Sequence, residues 1–134
     1  MSPDDYPVDG LQTPDPAYGP ERVVEIQLDA LATNDSPTEN AGIKTAYNFA
    51  SPANRRSTGP LDRFVRMVES PRYAPMIDHV EATAGPMERD GTQATQTVTL
   101  TGPDDRTVTY DFGLSKQPSG SLAGCWLTDS VVVQ

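Results

Sequence analysis

Cysteine and histidine each occur once in this chain, and lysine only twice. A lone cysteine, Cys125, forms no intramolecular disulfide and builds no thiolate zinc site. Its setting between Gly124 and Trp126, in a strand-like run, reads as a small buried hydrophobe. A catalytic thiol there would have to borrow His79, the only imidazole. One histidine among scattered carboxylates does not space out a metal triad, so neither metal nor cofactor is expected. Glycine-rich phosphate loops and nucleophile elbows are missing as well. No apolar run approaches the ~18 residues that span a bilayer. Nor does the N-terminus carry the charged-then-apolar pattern of a signal peptide. The expectation is a soluble, cytoplasmic protein with no membrane partner.

What is abundant is negative charge. Nineteen acids, 13 of them Asp, stand against 8 Arg and the two lysines Lys44 and Lys116, giving a net charge of −9. Phosphate neutralisation needs a basic face, so a nucleic-acid partner is not expected. An anionic membrane surface is disfavoured for the same reason. The Asp-rich, Lys-poor balance is similar to that of proteins from salt-loving organisms, where salt screens self-repulsion and charge maintains solubility.

The length, 134 residues, suits one domain with one core. Residues 1–19 hold four prolines, four aspartates and no base. They read as a disordered acidic leader, or alternatively as an arm docked through Tyr6, Leu11 and Tyr18. Residues 20–134 then form the domain. A first helix is expected from Pro20, with Val23, Val24, Ile26, Leu28 and Leu31 on its apolar arc. Gln27 falls inside that arc, and a polar amide aimed at a core must find hydrogen bonds or line a pocket. A second helix carries Ile43, Ala46, Tyr47 and Ala50 and should stop at Ser51-Pro52. Residues 53–59 read as a loop, and a third helix should run from Pro60 to Ser70. From about Asp78 the apolar period changes from 3.6 to 2. Turn signals at Gly85-Pro86, Asp90-Gly91, Gly102-Pro103 and Pro118-Ser119-Gly120 punctuate the rest. Gln93–Thr101 alternates Ala94, Gln96, Val98 and Leu100 against four threonines. The resulting class is α+β, with N-terminal helices packed on a curved four-stranded antiparallel sheet. Covering one face of a curved sheet leaves a cone, and a hollow in it would suit a small ligand.

The run Tyr47-Asn48-Phe49-Ala50-Ser51-Pro52 is followed by Thr58-Gly59-Pro60, Phe64, Met67-Val68 and Tyr73-Ala74-Pro75-Met76. Together with Gln27-Leu28-Asp29-Ala30-Leu31 and Gly124-Cys125-Trp126, it resembles a conserved domain of unknown function from archaea, bacteria and plant plastids. The resemblance spans roughly residues 20–133. Leu127 departs from it, since a basic or polar residue is expected after the tryptophan. The resemblance implies a cystatin-like or SnoaL-like cone, similar to the nuclear-transport-factor-2-like superfamily. Enzymes and plain binding modules share that architecture, so the fold does not select a function.

Pocket candidates are Gln27, Tyr47, Phe64, Tyr110, Phe112 and Trp126; the alternative is that they are ordinary core. Arg55, Arg56 and Thr58, ahead of the third helix, could bind an anion or simply form loop ion pairs. General bases, if any, would come from Asp78, His79, Asp111 or Asp129. Two functions follow. One is a non-catalytic module binding a small molecule or a partner, with a homodimer compatible. The other is a SnoaL-like isomerase, dehydratase or hydrolase using a buried carboxylate or His79 on a small apolar substrate.

Overall fold

The computed structural model of the chain describes residues 10–36, 38–120 and 122–134. The expected leader and arm therefore lie partly outside the described residues, Tyr6 among them. Within residues 10–19, Tyr18 packs against the main core, and the Gln12 carbonyl accepts a 3.2 Å hydrogen bond from Asn48 Nδ2.

Four helices come first: α1 (Pro20–Ala32), α2 (Ala41–Asn48), α3 (Pro52–Thr58) and α4 (Leu61–Glu69). A 3-10 turn over Ala74–Met76 leads into β1 (Glu81–Ala84), β2 (Glu88–Asp90), β3 (Gln93–Thr101), β4 (Thr107–Lys116) and β5 (Trp126–Val133). The sheet is antiparallel and open, in the order β1-β3-β4-β5, with β2 also paired to β3. The α+β order is the one the change of period indicates.

Two elements differ from the sequence reading. Residues 53–59 are not a loop, because α3 occupies most of them. Ser51-Pro52 stops α2, but the same pair also starts a helix. Ser51 Oγ accepts from Asn54 N at 3.2 Å, and proline suits the first helical position. The sheet also has a fifth strand. Its edge along β3 breaks at Gly85-Pro86 and resumes as β2, since proline has no N–H for the ladder. Gln96 Nε2 closes the break by donating to the Gly85 carbonyl at 2.7 Å. This accounts for a glutamine on the apolar side of β3, although its buried Oε1 has no partner among the described residues.

The helices cover the face carrying Ala94, Val98, Leu100, Tyr110, Phe112, Leu114 and Trp126, all buried. The opposite face is threonine-rich, with hydroxyl pairs Thr99–Thr109 and Thr101–Thr107 each at 3.1 Å. β5 does not alternate simply. Gly113 pairs with Ser130 while Leu114 pairs with Thr128, so Asp129 is the extra residue of a β-bulge. The bulge swaps the faces of everything before it. Thr128 and Trp126 thereby join the core side. Leu127 turns to the other face, where it is fully buried with Leu122 and Cys125 in a satellite cluster. Burial pushes the Cys125 thiol up, with Asp15 adding to the shift, which fits an inert packed residue.

α1 and α2 approach closely at Gly42, whose N–H donates to the Asn34 carbonyl at 2.8 Å. A Cβ there would lie 2.8 Å from the Ala30 carbonyl carbon and 2.9 Å from Asn34 Cα. These are backbone atoms and have little room to move. Alanine normally favours a helix over glycine by about 1 kcal/mol, so available space decides the sign. Gly42→Ala is expected to lower the unfolding free energy by about 1–3 kcal/mol in urea titrations. An unchanged or raised value would contradict the close α1–α2 contact.

Candidate functional site

The site is a cavity of about 350 Å³ between the helical layer and the C-terminal half of the sheet. Phe112 and Val131 face it from the sheet, and Leu31, Phe64, Met67 and Val68 from α1 and α4. Three alanines, Ala46, Ala50 and Ala53, line it where the chain passes from α2 to α3. Their short side chains leave the space that larger ones would fill. Ala53 and Ser57 of α3, with Asp129 and Ser130 of β5, are exposed and mark the mouth.

The polar end is organised by Thr128. Its N–H donates to the Phe49 carbonyl at 2.8 Å, and its carbonyl accepts from Ser51 N at 2.8 Å. This is an isolated parallel bridge between Ala50 and Thr128. Asn54 Nδ2 adds a second bond to the Thr128 carbonyl at 3.0 Å. Thr128 Oγ1 accepts from Gln27 Nε2 at 2.8 Å, and the same amide nitrogen donates to the Val23 carbonyl at 3.2 Å. Gln27 and Thr128 are each only 3% exposed. The anomalous amide of α1 thus both binds its neighbours and lines the cavity.

Of the pocket candidates, Gln27, Phe64 and Phe112 line the cavity and Tyr47, Tyr110 and Trp126 do not. Tyr47 packs on Phe64 with ring centroids 4.9 Å apart, behind the lining. Trp126 lies under the Arg89 guanidinium, 5.0 Å from its ring centre. Tyr110 donates its hydroxyl to the Arg72 carbonyl at 2.9 Å and stacks on Tyr73 at 6.0 Å.

Among the anion candidates, Thr58 lines the cavity and the two arginines do not. The Thr58 hydroxyl donates to the Asn54 carbonyl at 2.8 Å. Arg55 Nε donates to the Ala50 carbonyl at 3.1 Å, and Arg56 is exposed on α3. Of the candidate bases, only Asp129 lines the cavity. Asp78 accepts from Asn34 N at 3.1 Å. His79 Nδ1 donates to the Met76 carbonyl at 2.8 Å. Asp111 sits on the threonine face, accepting from Thr97 and Gln134 at 2.8 Å each. Sequence reasoning did not name Thr128, Asn54, Met67, Tyr73 or Met76 as lining residues. Thr128 was hidden by the bulge, and Asn54 by the unrecognised α3.

Burial pushes the Tyr110 phenol up to about 12; Arg106 opposes the shift and Tyr73 adds to it. The folded value exceeds the ordinary one near 10, so Tyr110 contributes stability that is full below about pH 10 and lost as pH rises toward about 12. Denaturation midpoints measured across that window should fall, and Tyr110→Phe should flatten the fall. An identical slope in the variant would contradict the assignment.

A family model described as Domain of unknown function (DUF4864) matches residues 17–134. No curated protein and no solved structure matches the chain.

Proposed function

We propose that this chain, which belongs to the family Domain of unknown function (DUF4864), is a non-catalytic binding module for a small, largely apolar molecule. One observation carries the reading. The cavity walls are mainly aliphatic and aromatic, while its deep polar groups, Gln27 and Thr128, are amide and hydroxyl, neither acid nor base. Pockets that bind small molecules have this character, an apolar lining with a few placed hydrogen-bonding groups. The volume, about 350 Å³, falls at the lower end of their range of roughly 300–1,000 Å³.

The SnoaL-like enzyme reading asks for a carboxylate or imidazole whose proton affinity is tuned by burial. Among the described lining residues the one carboxylate belongs to Asp129. It is an exposed bulge residue at the mouth. That placement favours retention of a ligand over proton transfer to or from it.

The test is a thermal-shift screen of the purified chain against neutral, cationic and anionic metabolites, run beside Ala46→Leu. A ligand that binds only the folded state raises its melting temperature by mass action. The wild type should respond to a coherent set of small apolar compounds. Ala46→Leu, which fills part of the cavity, should gain about 0.5–2 kcal/mol of stability and lose that response. A wild type indifferent to every compound would overturn the reading. So would a variant that still binds fully.

A further inference from the structure

We infer that the cavity selects an uncharged molecule with one donor–acceptor head, an alcohol or a primary amide, and turns away carboxylates and phosphates. The inference rests on the binding reading above and goes beyond it by naming the ligand's chemistry.

Charge sets the first restriction. The described lining contains no lysine, arginine or histidine, and its only formal charge is the negative one of Asp129. Arg55 and Arg56 stand on α3 but do not reach the lining. An anion entering would give up its hydration with no cation to replace it, and that loss opposes binding. The chain's net charge of −9 opposes it further. A cation would meet its counter-charge only at Asp129, on the exposed rim, where solvent weakens the attraction.

Hydrogen bonding sets the second restriction. The Gln27 amide nitrogen is committed to the Val23 carbonyl and to Thr128 Oγ1. This orients the amide, and its Oε1 accepts from none of the described residues. Thr128 Oγ1 is occupied as an acceptor, so its own hydrogen remains to be donated. An acceptor and a donor thus sit side by side on two residues that are each 3% exposed. Ser57, Asp129 and Ser130 lie at the exposed mouth, away from this pair, and further in the other polar side chains already have protein partners. Asn54 Nδ2 binds the Thr128 carbonyl, and the Thr58 hydroxyl binds the Asn54 carbonyl. A head that donates to Oε1 and accepts from the Thr128 hydroxyl completes the set. One alcohol oxygen does both, and so does a primary amide. A carboxylate only accepts, and would set its charge against Oε1.

The experiment is calorimetric titration of the full chain with matched phenyl and hexyl series. The phenyl set is 2-phenylethanol, phenylacetamide, phenylacetate, phenethylamine and ethylbenzene; the hexyl set carries the same heads. In at least one series, alcohol and amide should bind at least ~10-fold tighter than carboxylate, amine and bare hydrocarbon. Gln27→Met removes the acceptor but leaves the Thr128 hydroxyl, so it should narrow the advantage of alcohol and amide over the hydrocarbon by at least ~3-fold. Hydrocarbon binding equal to that of the alcohol in the wild type would leave the cavity reading standing and overturn this inference. A carboxylate or an amine as the tightest ligand would overturn it too. If nothing in either series binds, both readings fall. The wild-type ranking decides the matter even if Gln27→Met does not fold.

Discussion

The peptide group and hydroxyl of Thr128 hold the helical layer to the sheet. The N–H reaches Phe49, the carbonyl takes bonds from Ser51 and Asn54, and the hydroxyl takes one from Gln27. The partners come from α1, the α2–α3 connection and α3, so one strand residue fixes three neighbouring segments. Hydrophobic burial pulls the layers together but is not directional. Hydrogen bonds of defined geometry at a buried site set how the layers are placed. The bulge at Asp129 is what makes this possible. Without it Thr128 would point to the far face, and the Gln27 amide would be buried opposite an apolar or charged neighbour.

The cavity follows from this anchoring together with side-chain size. Other bonds tie the layer down elsewhere: Tyr73 Oη to the Val131 carbonyl at 2.9 Å, and Asp78 N to the Leu31 carbonyl at 2.8 Å. Between these ties the chain offers Ala46, Ala50 and Ala53 toward Phe112 and Val131. With its rim tied by hydrogen bonds, the layer is not free to collapse onto the small residues. A void that would otherwise cost packing energy is therefore retained. Its polar end is built from the same two residues, Gln27 and Thr128, that anchor the layer.

Much of the fold was legible in the sequence. The change of period near Asp78, the turn dipeptides and the clean alternation of Gln93–Thr101 lead to the observed order of helices then strands. The polar residue in the apolar arc of α1 leaves two readings open, a satisfied amide or a pocket wall, and Gln27 is both. Other features depend on long-range pairing that local patterns do not encode. Ser51-Pro52 looks like a stop from upstream and like a start from downstream, and only the Asn54–Ser51 cap shows that it is both. The stretch Trp126-Leu127-Thr128-Asp129-Ser130-Val131 has no period-2 pattern, because one residue is inserted at the bulge. The sequence pattern implies that the aromatics are buried, but not on which side of them the empty space lies. Tyr47, Tyr110 and Trp126 are consumed by a ring contact, a backbone carbonyl and a guanidinium. Phe64 and Phe112 are left to face the cavity.

The account turns on the direct coupling of Gln27 and Thr128 across the two layers. A double-mutant cycle of Gln27→Leu and Thr128→Val, read as unfolding free energies in urea, measures that coupling. An interaction energy within about 0.5–3 kcal/mol, with the double variant more stable than additivity allows, is the expected result. Strictly additive losses would mean that the two side chains do not depend on each other, and the anchoring of the helical layer through Thr128 Oγ1 would be wrong.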